Sequence, residues 1–155
     1  MDVTLKRLNP ATGSPEDVKW SDLGAKVVVC AVPGAFTPTC SKTHAPGFIS
    51  QLDALKAKGA TAVVVLSVND AFVMGSWAKS LGVEDGKEKG LYFLADGNGE
   101  LAEKLGLVLD ATGFGMGKRL RRFAAVVEDG KVAALNMEEG GGLTCSRAED
   151  VLAAL

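Results

Sequence analysis

The chain has 155 residues, 47% of them apolar and 23% charged, a length and balance that suit one domain (1–155) with a sizeable core and exclude a disordered chain. Its formal net charge of −2 gives no electrostatic reason to expect nucleic acid or an anionic membrane as partner, and the basic run Lys118, Arg119, Arg121 and Arg122 is too short to alter that. No apolar run reaches the roughly 18 residues that a membrane-spanning helix needs.

The first 24 residues, with turn signals at Asn9-Pro10 and Gly13, read as a leading hairpin or an irregular extension. Residues 26–32 (KVVVCAV) are a short continuous β-branched run and predict a buried strand. Phe48, Ile49, Leu52 and Leu55 repeat at helical spacing up to Gly59, which should stop the helix. Residues 60–68 (ATAVVVLSV) predict a second buried strand. A helix follows to about Leu81, capped by Asn69 or Asp70 and ended by Gly82. Residues 91–95 (LYFLA) predict a third strand, 96–99 a turn, and the residues to about Leu105 a short helix. Residues 120–127 and 131–137 flank Asp129-Gly130, the signal of a β-hairpin. A last helix is expected over 147–154, with Ser146 as its N-cap.

Buried strands linked by helices imply a parallel sheet with right-handed crossovers. A βαβ half followed by a ββα half is the thioredoxin arrangement. The expected class is therefore α/β: a thioredoxin fold with a central mixed sheet flanked by helices, an N-terminal extension and an inserted strand and helix.

The three cysteines, Cys30, Cys40 and Cys145, are too few and too odd in number for a secreted disulfide framework. A reducing compartment fits them. Met1 leads straight into a polar segment with no signal peptide, and Ala153-Ala154-Leu155 is no peroxisomal address. The expectation is cytoplasmic, with a chloroplast or mitochondrion open if a targeting peptide has been removed.

The segment Pro33-Gly34-Ala35-Phe36-Thr37-Pro38-Thr39-Cys40 joins the first buried strand to the first long helix. Reactive groups of open α/β sheets sit at such carboxyl ends of strands. Thr37 is a good N-cap and Pro38 suits the first helical position, which puts Cys40 third. Unpaired N–H groups and the positive end of the helix dipole there favour a thiolate, the nucleophilic form of cysteine. A thiol–disulfide oxidoreductase would carry Cys-x-x-Cys here, but the first position is Thr37. A non-enzymatic redox sensor that relays oxidation from Cys40 to a partner is a second alternative.

The pattern Pro33-x-x-x-Thr37-x-x-Cys40 resembles the active-site motif of peroxiredoxins, and PGAFTPTCSKTHAPGF resembles the type II or peroxiredoxin-5 subfamily. LKAKG, LSVNDAFV, LADG, RRFAAVV and GLTC follow in the order of that subfamily, so the resemblance covers nearly the whole chain. It implies a thioredoxin fold and reduction of hydrogen peroxide and organic hydroperoxides. It implies no metal, haem or flavin. It implies a homodimer, recycled by thioredoxin or by glutaredoxin and glutathione.

The same resemblance assigns Cys40 as the attacking residue, with Pro33, Thr37 and Arg122 around it; Gly34, Phe36 and His44, close to Cys40 in the chain, are expected to line the substrate pocket. Strand alternation lets only one of Arg121 and Arg122 face Cys40, and the resemblance selects Arg122. His44, four residues after Cys40, falls on the same face of a regular helix, where it would be either a base for Cys40 or a hydrogen-bond partner in the pocket wall. Pro46 disturbs that face by removing a backbone donor. A metal set of Cys40, His44 and Cys145 matches none of the usual zinc spacings.

Cys145, in GLTC after Gly140-Gly141-Gly142, matches the resolving cysteine of animal-like peroxiredoxin-5. The plant-like type II pattern places its second cysteine where Leu66 stands, although TPTC is plant-like. Either Cys145 resolves oxidised Cys40, or an outside thiol does. Cys30 is read as a buried packing residue, and Trp77, Phe36 and Phe48 as core or pocket wall.

Overall fold

The computed structural model describes residues 2–84 and 86–155. Strands β1 (Thr4–Asn9) and β2 (Ser14–Lys19) pair antiparallel, so the leading segment is a hairpin. Pairing of Lys6 with Ala95 carries that hairpin into the main sheet. Strand β3 (Lys26–Ala31) follows, then a helical path from Pro38 through α1 (Ala45–Ser50) and α2 (Leu52–Ala57). Next come β4 (Ala62–Ser67), α3 (Ala71–Ser80), β5 (Leu91–Ala95) and α4 (Glu100–Leu105). The remainder is β6 (Val108–Asp110), β7 (Lys118–Leu120), β8 (Phe123–Glu128), β9 (Lys131–Met137) and α5 (Ala148–Ala154).

The seven-stranded sheet runs β2-β1-β5-β4-β3-β8-β9. β3, β4 and β5 are parallel, and β8 returns antiparallel beside β3. Every residue of β4 is buried, as a strand covered on both faces requires, and that is why its sequence is a continuous apolar run. One face, beneath α1, α2, α3 and α5, gathers Cys30, Cys40, Phe48, Leu55, Met74 and Trp77. The other, beneath α4, gathers Trp20, Val27, Val29, Leu101 and Phe123. β3-α1-α2-β4 and β8-β9-α5 form the two thioredoxin halves, with β5 and α4 inserted between them.

Three expectations shift, and one choice between two caps is decided. The helix expected from Phe48 to Gly59 is two helices, broken at Gln51 (φ −97°, ψ 10°) and stopped by Gly59 at φ +98°. Asp70 caps α3, its Oδ1 accepting from Val73 N–H at 2.8 Å, while Asn69 is used elsewhere. Ser146 is not the cap of α5: that position is Arg147, whose N–H donates to Asp150 Oδ2 at 3.0 Å. The strand expected over 120–127 splits: β7 ends at Leu120 beside β6, β8 begins at Phe123 beside β3 and β9, and between them Arg121 N–H donates to Leu107 O while Arg122 O accepts from Glu138 N–H. The hairpin turn itself has Asp129 at φ +50° and Gly130 at φ +78°, the pair of left-handed residues that a tight hairpin matching strand twist demands.

Candidate active site

The chain leaves β3 at the carboxyl edge of the sheet, where Val32 N–H still donates to Leu66 O. Half-buried Pro33 ends the ladder, since it has no N–H to give. The turn after it is fixed from two sides. Ala35 N–H donates to Asn69 Oδ1 at 3.0 Å, which ties it to the end of β4. Thr37 Oγ1 donates to Gly34 O at 2.7 Å. Gly34 is buried, and a Cβ there would stand 3.0 Å from both Met116 Cε and Thr37 Cγ2, so a side chain would press on the methionine and the threonine together. Phe36 sits at φ +63° and is 56% exposed. It belongs to the surface rather than the core, and a bulky residue in the left-handed region holds that strain only because the turn is tied at both ends.

Helical backbone begins at Pro38, so Cys40 is third, as expected. Thr37 stands at the cap position without capping: its hydroxyl proton goes to Gly34, its oxygen takes no backbone N–H among the described residues, and its carbonyl accepts from Ser41 N–H at 3.0 Å. The hydroxyl lone pairs therefore remain for a ligand. Residues Cys40–His44 form a π turn, in which Ala45 N–H reaches back to Cys40 O. Pro46 accounts for the wider turn: in a regular α-helix its ring would press on the Lys42 carbonyl and would offer it no N–H. The regular helix expected here is thus corrected, yet Cys40 and His44 still share a side.

That side meets Arg122. Arg122 Nη2 donates to Cys40 Sγ at 3.2 Å, and Nη1 donates to His44 Nδ1 at 2.9 Å. A guanidinium has donors only, so the sulfur must accept, a contact that an anionic sulfur makes best. His44 Nε2 lies 2.7 Å from Ser146 O. A carbonyl only accepts, so the proton is on Nε2 and Nδ1 is free to receive from Arg122. Cys40, His44, Arg122 and Ser146 are all buried. Arg122 Nε is also buried and has no partner among the described residues, a donor left for a ligand. Arg121 turns away and donates to Glu138 O at 3.2 Å.

The two readings of His44 now separate. Neither ring nitrogen touches the sulfur, and both are engaged. Burial pushes its pKa down, the Ser146 carbonyl pulls the other way, and the Arg122 charge adds to the lowering, which leaves it at about 4. His44 is a neutral support for Arg122, placed behind it rather than in an open pocket wall. A stability consequence follows. Between the unfolded value of 6.5 and the folded value of about 4, the unfolded chain binds a proton that the folded chain refuses. Stability therefore falls as pH drops through that window. Going from pH 7 to pH 5 should cost about 2 kcal/mol from this group alone. Chemical denaturation at the two pH values should show the loss in the native chain and much less of it in His44→Gln; equal losses would contradict the assignment.

Sequence reasoning did not reach Glu138. Its carboxylate, buried at the end of β9, accepts from the N–H groups of Thr144, Cys145 and Ser146 at 2.7, 2.8 and 3.0 Å. It also accepts from the hydroxyls of Thr144 and Ser146 at 2.7 and 2.9 Å. Burial pushes its pKa up, but these hydrogen bonds outweigh burial and hold it at about 2. The one signal available was an acid before Gly140–Gly142, followed by the hydroxyl residues Thr144 and Ser146. Cys145 is a half-buried free thiol that donates to Met137 O at 3.4 Å; burial and the Glu138 charge push it up. Cys30 is fully buried in the core, as expected, and burial pushes its thiol well up.

The family described as Redoxin matches residues 2–152. The chain is 49% identical to chloroplastic peroxiredoxin-2E of Arabidopsis thaliana over 158 residues, 99% of this chain and 66% of that protein, so it spans just under two thirds of that relative's length. It is 52% identical to peroxiredoxin-2C of Oryza sativa subsp. japonica, over 85% of this chain and 79% of that one. Among solved structures, reduced Prx3 of Vibrio vulnificus in complex with hydrogen peroxide superposes with a TM-score of 0.88 at 41% identity, covering 99% of this chain and 94% of the other. Peroxiredoxin 5 of Alvinella pompejana gives 0.80 at 28% identity, over 99% and 92%. The chain belongs to the redoxin family, among its peroxiredoxins, in the group that joins the type II and peroxiredoxin-5 proteins.

Proposed function

We propose that the whole chain acts as one thiol peroxidase domain that reduces hydrogen peroxide and organic hydroperoxides through Cys40. The observation that carries this is the Arg122 Nη2 to Cys40 Sγ contact of 3.2 Å at the start of a helix, three residues after Thr37. Cys40 thiolate attacks the terminal peroxide oxygen. The S–O bond forms as the O–O bond breaks, leaving a sulfenic acid and an alkoxide or hydroxide that takes a proton. Arg122 donors stabilise that departing charge, worth about 1.5–3 kcal/mol for a hydrogen bond to a charged group. Thr37 accepts from the peroxide hydroxyl, and Pro33, Gly34 and Phe36 shape the rim.

Cys145 resolves the sulfenic acid within the same chain, and thioredoxin, or glutaredoxin with glutathione, reduces the resulting disulfide. Three observations support Cys145: it is free, it lies only partly buried, and its loop already touches His44 through Ser146. After one equivalent of peroxide, peptide mapping should find a Cys40–Cys145 disulfide in a monomer on non-reducing gels. A covalent dimer would overturn the intrachain step alone. A stable sulfenic acid on Cys40 would make this a one-cysteine enzyme served by an outside thiol.

A homodimer is proposed through the rim. Exposed Phe36, Phe72 and Phe114 sit on three segments drawn together by the Ala35–Asn69 bond and the packing of Met116 on Gly34. Sedimentation should then return the mass of two chains. No helix among the described residues is long and apolar enough to cross a membrane. The compartment proposed is a reducing one, the cytoplasm first. A chloroplast is the alternative that the chloroplastic relatives bring with them.

A further inference from the structure

The Glu138 carboxylate stands outside the peroxide chemistry, yet it joins the two halves of the catalytic cycle. From Glu138 a continuous hydrogen-bonded path runs through Ser146 N–H and Oγ to the Ser146 backbone, from Ser146 O to His44, from His44 to Arg122, and from Arg122 to Cys40. The same carboxylate takes Cys145 N–H and both donors of Thr144. Glu138 N–H in turn donates to Arg122 O at 3.1 Å. One side chain therefore fixes the acceptor that orients His44 and the peptide that carries Cys145.

We propose that Glu138 is a positioning residue for both thiols: its carboxylate holds residues 144–146 so that Ser146 orients His44 and Arg122 toward Cys40 while Cys145 is withheld, and the disulfide forms only after that loop leaves the carboxylate. This rests on Cys145 as the resolving thiol. In the resting fold the Cys145 thiol points to Met137 O, and the Glu138 charge disfavours its thiolate. A disulfide needs the two Cα atoms within about 7 Å of each other. Departure of the loop frees Cys145 from Glu138 and removes the Ser146 carbonyl from His44 in the same motion. Glycines 140–142, beside which a Cβ would meet nothing within 4 Å, give the loop its freedom to swing. The step then balances: Cys40–S–OH and Cys145–SH form the S–S bond, the S–O bond breaks, and the thiol proton leaves with the hydroxyl as water. The arrangement makes the peroxide-reactive and disulfide-forming states mutually exclusive.

Glu138→Gln tests this. Its amide keeps one oxygen for the three N–H groups but loses the charge, and hydrogen bonds to a charged acceptor are roughly twice as strong as neutral ones. In a Cys40→Ser background, where Cys30 is buried, maleimide labelling should report Cys145 alone. Glu138→Gln should raise that rate by about tenfold, and Thr144→Val, which deletes only a hydroxyl, by a smaller factor in the same direction. With Cys40 present, Glu138→Gln should slow peroxide reduction severalfold while speeding disulfide formation. A general loosening of the fold would not move the two steps in opposite directions. Unchanged labelling, or both steps slowed together, would overturn the proposal. If the parent makes no Cys40–Cys145 disulfide at all, it is the resolving role of Cys145 that fails, and the labelling comparison still decides whether Glu138 holds the loop.

Discussion

Arg122→Ala should slow the reaction of Cys40 with hydrogen peroxide by between one and two orders of magnitude, while Arg121→Ala should change it little. The asymmetry comes from where the two guanidinium groups sit. Arg122 is 4% exposed and donates to the Cys40 sulfur, whereas Arg121 donates to the Glu138 carbonyl and leaves the sulfur untouched. Losing a hydrogen bond to a charged group costs about 1.5–3 kcal/mol, and each 1.4 kcal/mol is tenfold in rate. The truncation also strands His44 Nδ1 without its donor, because the imidazole is neutral and its other nitrogen is committed to Ser146. Arg122→Lys should recover only part of the rate, since one ammonium does not reproduce the flat fork that reaches sulfur and imidazole together. Stopped-flow peroxide reduction on the three variants measures this directly. A mild Arg122→Ala and a severe Arg121→Ala would put the functional guanidinium on the wrong residue.

Much of this architecture was legible because the local signals agree with one another. The apolar runs that form β3, β4 and β8 are continuous because those strands are covered on both faces, and Asp129-Gly130 adopts the two left-handed residues its turn requires. The place of Cys40 was legible for a local reason: a strand, a turn and a proline at the first helical position lie within eight residues of it. The choice of Arg122 over Arg121 came from resemblance, and the alternation argument behind it does not apply, since both residues lie between strands.

What could not be read depends on contacts between distant segments. The separation of 102 positions between His44 and Ser146 hides a hydrogen bond made by a backbone carbonyl, which leaves no trace in side-chain identity. Glu138 reads as one more polar residue at a strand end until the fold turns 144–146 back over it. The disturbance that Pro46 brings is legible, but the π turn is not, because a proline removes a donor without dictating how the helix absorbs the loss; Thr37 before Pro38 reads as a cap because a hydroxyl at that position usually accepts. Here it donates to Gly34 instead, which is what keeps its lone pairs available.

Peroxide reduction should take place at Cys40 and nowhere else. Its most direct test is a single-turnover, stopped-flow measurement of hydrogen peroxide consumption by the reduced protein beside Cys40→Ser, with Cys145→Ser and Cys30→Ser as companions. The native chain should consume one equivalent in a fast phase. Cys40→Ser should lose that phase entirely, because Cys30 is buried without access and the Cys145 thiol is turned to the Met137 carbonyl, not to Arg122. Cys145→Ser and Cys30→Ser should keep it. A fast phase that survives in Cys40→Ser would contradict the account, whatever else the fold and the family share.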